Sequence, residues 1–448
     1  MFAAGNFARG AKKLNFHSII DSLMTKIEFY VKKVYSSLFY IFAPQIQVAV
    51  LMKKKVVVGL SGGVDSSVAA YLLKKEGFDV IGMFMINWHE TTGTLSGDCP
   101  WNDDLIFAEL VARKLDIPFH TIDFSEEYGK RVVDYMFAEY ERGRTPNPDI
   151  LCNREVKFDL FVEAAKKFDA EFVATGHYCR KDEFKTDAGN TIYRLLAGTD
   201  PNKDQSYFLC QLSQKQLSTA LFPVGHLLKP EVRKIADELG LATAQRKDSQ
   251  GVCFVGKIDL PVFLQQKIKS QEGRIILIPE NFEGYQVTTN GQDEHDALQV
   301  LSTPYSYSPA DGRTVGQHQG AHFLTIGQRK GLNVGGMVKP LFVIATDVDN
   351  NIVYTGQGDD HPGLYRKALF IPNNDIHWIR LDKELKSGEK FDFLVRIRYR
   401  QPLQKACLFK FDEGLYILFD KPQRGITPGQ FAAWYDNDEL VGSGVISG

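Results

Sequence analysis

The sequence predicts an α/β domain built on a parallel sheet, followed by a small central domain and a C-terminal β-barrel. From Lys53 to about Phe254, short apolar runs alternate with stretches of helical period. That alternation is typical of a parallel sheet covered by helices on both faces. From Leu341 onward, short apolar strands are separated by turn-forming residues, a pattern typical of a small barrel or sandwich. The length of 448 residues fits about three domains of roughly 150 residues each.

The elements of the first domain, residues 52–255, follow in chain order. Gly77 is well placed to end the first helix, because glycine adopts the left-handed conformation that closes helices. Apolar runs predict strands at residues 56–60, 80–85, 119–123 and 171–175. Amphipathic stretches predict helices at residues 68–75, 105–115 and 158–167.

The remaining domains are predicted less sharply. Residues 256–340 lose the strand–helix alternation, and we expect a small central domain there. Within it, residues 280–312 are rich in Asn, Gly, Thr, Ser and Pro and predict a long loop or insertion. Residues 341–448 form the predicted barrel.

Residues 1–51 differ in composition from the rest of the chain. They hold six Lys or Arg residues against two acids, and residues 34–51 carry no charge. This uncharged run approaches the length of a membrane span, but Ser, Pro and Gln interrupt it, so a span is the less favoured alternative. Met52 leads directly into the first strand. We therefore expect Met52 to be the working start, with residues 1–51 a disordered extension or a mis-assigned start.

Composition excludes several classes of protein. The 55 acidic and 53 basic residues leave a net charge of −2, so any surface for a polyanion must come from local clusters of Lys and Arg. The six cysteines include no CxxC pair, which argues against a disulfide scaffold, a zinc ribbon or an iron–sulfur site. We predict no metal-binding residues in the chain and a reducing, cytoplasmic location.

The strongest local motif is GLSGGVDSS at residues 59–67, which follows a strand and opens a helix. Glycines let backbone N–H groups approach phosphates closely, and the helix N-terminus adds its dipole. The motif is not a Walker loop, because it lacks the Gly-Lys-Ser/Thr lysine. It predicts a nucleotide-phosphate site more strongly than an unoccupied turn.

Two cysteines have surroundings that suggest reactivity. Pro148 stiffens the entry to a helix, Asp149 can serve as its N-cap, and Cys152 follows about one turn later. The helix dipole lowers the pKa of such a thiol, although the nearby carboxylate opposes this. Cys253 follows an Asp-Ser-Gln-Gly turn on a short apolar run. A buried structural thiol stays open as the alternative for both, and we expect the other four, Cys99, Cys179, Cys210 and Cys407, to be structural.

A basic pattern lies in the predicted barrel. Residues 393–400 alternate strictly, so a strand would place Arg396, Arg398 and Arg400 on one face. Such a stripe could bind nucleic-acid phosphates, and an ordinary exposed sheet face is the alternative. Residues 328–330 form a second candidate.

Taken together, the chain resembles the tRNA-specific 2-thiouridylases of the MnmA/TrmU family, which are PP-loop ATP pyrophosphatases with an adenine nucleotide alpha hydrolase-like domain. The resemblance covers residues 52–448 in the family's order, with residues 1–51 and the longer region near 280–312 outside the pattern. The matching stretches are GLSGGVDSS (59–67), GMFMINW (82–88), GRTPNPDILCN (143–153), ATGHY (174–178), KDQSYFL (203–209), LFPVGHLLKPEVRKIA (221–236), KDSQGVCF (247–254), IGQRKGL (326–332) and RYRQ (398–401).

The resemblance implies a reaction. ATP, with Mg²⁺, would adenylate the C2 oxygen of the tRNA wobble uridine, and sulfur would then displace AMP. By the same resemblance, Cys253 carries the sulfur as a persulfide, Cys152 is the nucleophile and Asp149 is a candidate acid/base. Release of sulfur from a persulfide leaves a thiol–disulfide couple, which explains why two cysteines are needed.

The resemblance also implies binding residues and partners. The ATP-binding residues would be Gly59, Leu60, Ser61, Gly62, Gly63, Val64, Asp65, Ser66, Met85 and Gly176. The tRNA-binding residues would be Asn147, Pro148, Asp149, His177, Lys203, Asp204, Gln205, Arg398, Tyr399 and Gln430, with the central domain also contacting tRNA. The partners would be the anticodon stem-loop and a persulfide donor such as a cysteine desulfurase or a relay protein, with no membrane.

Two alternatives stay open. Another PP-loop adenylating ligase would need an ammonia source or a different acceptor domain, and nothing in the sequence resembles a glutaminase. A catalytically silent tRNA-binding protein would use the β domain alone, and the intact SGGVDS motif with both cysteines argues against it.

Overall fold

The computed structural model describes residues 24–27, 31–32, 53–89, 101–247 and 259–447. The chain divides into two compact units, Met1–Lys53 and Lys54–Gly448. In the first unit, residues 24–27 and 31–32 are helical, and the expectation for residues 1–51 otherwise lies outside the described residues. No helix within the described ranges is long and apolar enough to cross a membrane.

The strands of the second unit are numbered here in chain order. They are β1 (Lys55–Gly59), β2 (Asp79–Ile86), β3 (Phe119–Asp123), β4 (Phe172–Ala174), β5 (Cys179–Lys185), β6 (Thr191–Ala197), β7 (Ala220–Leu221), β8 (Gly273–Leu277), β9 (Arg313–His318), β10 (Leu341–Asp347), β11 (Ile352–Gln357), β12 (Tyr365–Pro372), β13 (Ile376–Trp378), β14 (Lys390–Arg396), β15 (Gln404–Lys410), β16 (Gly414–Arg424), β17 (Phe431–Asp436) and β18 (Glu439–Val445).

The helices of the same unit lie mainly in its first half. They are α1 (Val64–Lys75), α2 (Asn102–Leu115), α3 (Ser125–Tyr128), α4 (Asp134–Glu141), α5 (Pro148–Leu151), α6 (Phe161–Lys166), α7 (Gln214–Thr219), α8 (Lys229–Glu238), α9 (Leu260–Leu264) and α10 (Glu294–Ser302). Two π-helical segments, Gly129–Val133 and Cys152–Leu160, lead into α4 and α6 respectively. The helix expected at residues 158–167 is therefore the end of a longer, partly π-helical run.

A five-stranded parallel sheet with the order β3-β2-β1-β4-β7 forms the first domain. The chain runs from β1 outward to β3 and then returns to β4 on the other side of β1. Nucleotides bind at such a switch point, at the carboxyl ends of the strands. The four predicted strands match β1 to β4 closely, and Gly77 follows α1 with a φ of +94° as expected.

Core clusters cover both faces of this sheet, because successive side chains of a strand point to opposite sides. Val57, Met83 and Met85 pack in one cluster. Val58 and Phe84 pack in the other, against α1 and α2. Burial on both faces explains why these strands are continuously apolar rather than alternating.

The central domain contains a four-stranded sheet with the order β10-β11-β8-β9. This sheet spans residues 273–357, so the domain boundary expected between residues 340 and 341 falls inside it and needs correction. The apolar run at 341–347 pairs with residues 352–357, which in turn pair with 274–277. Strand pairing across this distance is not visible in local turn patterns.

The stretch 280–312, expected to be a long loop, contains helix α10. Asp293 caps this helix by accepting a hydrogen bond from the backbone N–H of Asp296. Leu298 is buried and packs with Phe409 and Tyr416 of the C-terminal sheet. The stretch is therefore an ordered insertion that covers part of the barrel.

The C-terminal sheet follows the order β12-β16-β15-β14-β17-β18-β6-β5, with β13 also paired to β18. Strands β5 and β6 come from the first domain and join the sheet through β18. Trp434 is fully buried in the barrel core, together with Phe419, Leu408 and Val395. The first domain and the barrel thus share one continuous sheet.

Candidate active site

The phosphate loop lies between the end of β1 and the start of α1. Gly62 has a φ of +70°, a conformation that favours glycine. A Cβ atom on Gly62 would lie 2.3 Å from the carbonyl oxygen of Asp104, so no larger residue fits. Gly63 is the N-cap of α1 and supplies no side-chain hydrogen bond, so the first N–H groups of this 12-residue helix lack a side-chain cap. These N–H groups suit an anion such as a phosphate.

Hydroxyl groups of the motif hold the loop in this shape. The Ser66 hydroxyl accepts a hydrogen bond from the backbone N–H of Ser61 at 3.1 Å and donates to the carbonyl of Gly63 at 3.1 Å. The Ser67 hydroxyl donates to the same carbonyl at 2.8 Å. The loop geometry is thus set before any ligand binds.

The structure brings the other residues expected at the ATP site to the same place. Gly176 follows β4, and a Cβ atom there would lie 2.6 Å from the backbone nitrogen of Ser66. A Cβ atom on Gly59 would lie 3.3 Å from Cε of Met85. Leu60 and Val64 are buried in the core beside the sheet. Glycines at the switch point therefore leave a cradle that side chains would fill.

Three residues that the sequence interpretation missed complete this site. Asp65 accepts hydrogen bonds from Lys229 Nζ at 2.7 and 2.9 Å and from the Tyr178 hydroxyl at 2.7 Å. Arg246 donates to the carbonyl of Gly62 at 2.8 Å. Tyr178 and Lys229 lie in the matched ATGHY and LLKPEVRK stretches. Their partners are far away in sequence, so those stretches gave no indication of the contacts.

Arg246 also pairs with Asp104, with 2.8 Å between Nη1 and Oδ1. Burial raises the pKa of the Asp104 carboxyl above its ordinary value, and the adjacent guanidinium opposes that shift. Two cations, Lys229 and Arg246, therefore border the loop, each already paired with a carboxylate. The N–H groups of the loop and these two cations fit the phosphates of a nucleoside triphosphate. The described ranges contain no group of three His, Cys, Asp or Glu side chains arranged to hold a metal ion.

The Cys152 segment enters its helix differently from the prediction. Asn147, not Asp149, is the N-cap, since its Oδ1 accepts from the backbone N–H of Ile150 at 3.3 Å. Pro148 occupies the first helical position, where its missing N–H costs nothing, so the cap must precede it. Cys152 is fully buried and begins the π-helical segment.

The barrel holds this segment from the other side. Gln430 donates from its side-chain amide to the carbonyls of Thr145 at 2.9 Å and Pro146 at 3.1 Å. The Thr145 N–H in turn donates to the carbonyl of Pro428 at 2.9 Å. Gln430, expected to contact tRNA, therefore lies next to Asn147.

Cys253 lies outside the described residues, so its pairing with Cys152 remains a prediction. Cys99 is outside them as well. Burial raises the pKa of the Cys179 thiol well above its ordinary value and that of Cys210 to about 12. Cys407 is also shifted to a pKa of about 12, chiefly by burial. A raised pKa disfavours the reactive thiolate, in keeping with structural roles.

Other residues expected to contact tRNA are engaged within the protein. His177 is buried, with Nδ1 2.7 Å from the Thr175 hydroxyl, and burial holds its pKa well below the ordinary value. Gln205 accepts from the backbone N–H of Tyr178 at 3.0 Å. Asp204 accepts from the N–H groups of Gly198 and Ser206 at 3.1 Å each. Lys203 is half-buried.

The basic stripe predicted at residues 396–400 is wrong. β14 ends at Arg396, and Arg400 has a φ of +65°, so the three arginines do not share a strand face. Arg396 is buried, with its guanidinium 3.1 Å from the Asp204 carboxylate. Arg398 donates to the carbonyl of Arg424. Tyr399 packs against Phe208 with ring centroids 4.3 Å apart.

Comparison with known proteins identifies the family. Three family descriptions match: "tRNA methyl transferase HUP domain" at residues 54–257, "tRNA methyl transferase PRC-barrel domain" at 306–357 and "Aminomethyltransferase beta-barrel domain" at 370–446. A tRNA-specific 2-thiouridylase MnmA of Flavobacterium johnsoniae is 60% identical over 88% of this chain and 100% of its own length. The chain belongs to the MnmA family. The predicted fold class and the family resemblance are confirmed.

Other MnmA proteins agree. The protein of that name from Christiangramia forsetii is 60% identical, covering 88% of this chain and 100% of its own length. The MnmA protein of Shouchella clausii is 44% identical, covering 88% of this chain and 98% of its own length. Among solved structures, a 4-thiouridine synthetase–RNA complex with bound ATP has a TM-score of 0.30 and 18% identity, covering 48% of this chain and 50% of that one. A likeness of that size supports no functional argument.

Proposed function

We propose that the chain catalyses ATP-dependent 2-thiolation of the wobble uridine of tRNA. MnmA relatives named tRNA-specific 2-thiouridylase match it over 98–100% of their length. The observation that carries the proposal is the junction of phosphate loop and cysteine segment. Phe161 lies 3.6 Å from a Cβ placed on Gly59 and belongs to the same core cluster as Cys152. A buried core cluster therefore connects the end of β1, where the phosphate loop begins, with the Cys152 segment.

The first half-reaction makes the C2 oxygen of uracil a leaving group. Attack of that oxygen on the α-phosphorus of ATP forms the uridine–AMP bond and releases pyrophosphate. The N–H groups at the start of α1 bind the phosphates, and Lys229 and Arg246 add positive charge. Mg²⁺ would be held mainly by phosphate oxygens, with Asp65 as a candidate carboxylate ligand.

The second half-reaction transfers sulfur. The terminal sulfur of a Cys253 persulfide attacks C2, and AMP leaves with the C–O bond pair. The Cys152 thiolate then attacks the inner sulfur of Cys253, which forms a Cys152–Cys253 disulfide and leaves the outer sulfur on C2. A thiol reductant restores both cysteines. Asp149, three positions before Cys152 on α5, is the candidate acid/base.

The chain length between Arg246 and Cys253 supports a position of Cys253 near this site. Arg246 contacts the phosphate loop through the Gly62 carbonyl. Cys253 is seven positions after Arg246, and an extended chain spans at most about 3.6 Å per residue, or about 25 Å in all. This length is consistent with the proposed role of Cys253 beside the phosphate loop.

We propose that Asn147, Pro148 and Asp149 contact the target base, and that Lys203, Arg398, Tyr399 and Gln430 lie along the tRNA. His177, Asp204 and Gln205 are buried or hydrogen-bonded within the protein, so their proposed role is to position these segments. The persulfide donor would be a cysteine desulfurase or a relay protein, in the reducing cytoplasm.

A second function deserves a test because two family descriptions contain the words methyl transferase. In one reaction the protein is incubated with unmodified tRNA, ATP, a cysteine desulfurase and cysteine. In a second reaction, S-adenosylmethionine replaces the desulfurase and cysteine. The proposal expects AMP and pyrophosphate to form only when tRNA is present. Transfer of a methyl group without ATP consumption would overturn it, as would AMP formation that does not depend on tRNA.

A further inference from the structure

We propose that Arg329 and Lys330, in the central domain, bind RNA backbone phosphates beside the target nucleotide. The inference rests on the proposed function for the identity of the RNA. Both side chains belong to the loop 325–330, which lies between β9 and β10. The sequence offered residues 328–330 only as a second phosphate-binding candidate, and the family resemblance names no single residue of this loop for ATP, sulfur or tRNA.

Hydrogen bonds of the Gln328 side chain and of the backbone hold the loop in place. Gln328 accepts from the backbone N–H of Thr325 at 3.0 Å and donates from its amide to the carbonyl of Lys330 at 2.8 Å. Backbone bonds of 2.8 and 3.0 Å join Gly327 and Gln328 to Val343 of β10. A pre-ordered loop loses little conformational entropy when a ligand binds, so its charges are well suited to binding.

The loop lies against the segment expected to contact the target base. The Thr145 hydroxyl donates to the Thr325 hydroxyl at 3.2 Å, and Thr145 is two positions before Asn147. A Cβ placed on Gly425 would lie 3.8 Å from the Ile326 carbonyl oxygen. The same Cβ on Gly425 would lie 3.4 Å from Nη1 of Arg398 in the barrel. Central loop, catalytic segment and barrel therefore meet around Thr145.

Charge distinguishes this loop from its surroundings. Arg144 is paired with Glu139 at 2.8 Å, and Arg396 is paired with a buried carboxylate. Arg329 and Lys330 are exposed, and neither forms an ion pair with another residue in the described part of the chain. In a protein with a net charge of −2, RNA must be held by such local cations.

A cleft of about 410 Å³ opens beside the loop, and Arg329, Leu332, Met337 and Lys339 are among its lining residues. Arg329 brings positive charge to this cleft, whereas the charge of Lys339 is shared with Glu280 at 3.8 Å and Asp360 at 3.5 Å. An acidic protein, such as the sulfur donor, is the other class of partner that two cations could attract. The contact with Thr145 favours RNA, because that segment leads directly to the target base.

The test compares the variant R329A/K330A with wild type in tRNA affinity over a range of salt concentrations. Each lost phosphate contact should reduce the slope of log K against log salt by about 0.9, so a decrease of about 1 to 2 is expected. The variant R329K keeps the charge and should keep most of the slope. Melting temperatures should stay unchanged, since both side chains are exposed.

The matched control is R113A/K114A, which removes the same two residue types. These residues lie in the last turn of α2, just before β3, at the edge of the sheet opposite the phosphate loop. This control should bind tRNA with the wild-type slope. An unchanged slope in R329A/K330A, or a loss of affinity for the sulfur donor instead of tRNA, would overturn the inference.

The two proposals fail in different ways. If wild type forms 2-thiouridine and R329A/K330A keeps the wild-type slope, the inference is wrong and the proposed function stands. If wild type forms no 2-thiouridine but the double variant still loses slope, the proposed function is wrong and the RNA contact stands.

Discussion

The ammonium group of Lys229 lies 2.7 and 2.9 Å from the two carboxylate oxygens of Asp65, although 164 positions separate the residues. The Lys229 side chain is 11% exposed, and it is held at the start of α8 by a bond from its backbone N–H to Asp200 at 3.0 Å. The pair thus brings a lysine beside the phosphate loop, whose own sequence at residues 59–67 contains none.

Replacing Lys229 by Met should raise the KM for ATP at least tenfold, or about 1.4 kcal/mol. The change removes a cation and leaves the half-buried Asp65 carboxylate without its counter-ion beside the triphosphate. AMP formation as a function of ATP concentration measures the effect. Lys234→Met is the control, since Lys234 lies on the same helix, is exposed and pairs only loosely with Glu238 at 3.8 Å. Equal KM values for the two variants would contradict the assigned role.

Replacing Arg396 by Ala should destabilise the protein by about 3–5 kcal/mol, because it leaves the buried Asp204 carboxylate unpaired. The salt dependence of tRNA binding should not change at temperatures where the variant is folded. The double variant R396M/D204N should recover part of the lost stability, since Asn still accepts the two backbone bonds. If R396A were as stable as wild type and its tRNA affinity depended less steeply on salt concentration, the basic-stripe hypothesis would be restored.

His177 should make stability fall as the solution becomes acidic. Its pKa is depressed by burial, so the unfolded state binds the proton more readily, and stability is lost as pH falls below about 6.5. One such group contributes up to about 1.4 kcal/mol per pH unit. Urea unfolding at several pH values measures how steeply the free energy of unfolding changes with pH. This pH slope should be smaller in His177→Gln than in wild type. Thr175→Val keeps the imidazole ring and should retain the wild-type pH slope. Equal slopes in His177→Gln and wild type would refute this assignment.

Cys253→Ser should abolish persulfide labelling and thiolation but leave ATP binding intact. Cys152→Ser should still accept sulfur at Cys253 and fail to complete turnover. Peptide mapping of wild type after a single turnover without reductant should find a Cys152–Cys253 disulfide, which requires Cα atoms within about 7 Å. Cys407→Ser is the control and should behave as wild type. Full activity in either of the first two variants would rule out the two-cysteine step.

The sequence predicts the parallel sheet and the phosphate loop well because both depend on local patterns. The apolar runs of β1, β2 and β4 are largely buried, and Gly62 has a left-handed conformation against Asp104 that no larger residue fits. The N-cap was also within reach of sequence reasoning. Pro148 favours the first helical position, which points to Asn147 rather than Asp149.

The contacts that sequence reasoning missed join distant parts of the chain. Alternation at residues 393–400 shows only that one face is polar, not that Asp204 covers Arg396 on that face. Likewise, the roles of Tyr178 and Lys229 appear only once the fold brings both to Asp65. The composition of residues 280–312 suggested a loop, and the contacts of Leu298 in α10 with Phe409 and Tyr416 are too distant in the sequence to correct that interpretation.

Nucleoside analysis of tRNA after reaction tests the central claim most directly. Unmodified tRNA is incubated with the protein, ATP and a persulfide donor that carries isotopically labelled sulfur, and the digested nucleosides are examined by mass spectrometry. We expect labelled 2-thiouridine at the wobble position, with one AMP released per sulfur incorporated. Sulfur incorporation without AMP release, or AMP release with no sulfur in the tRNA, would contradict the account.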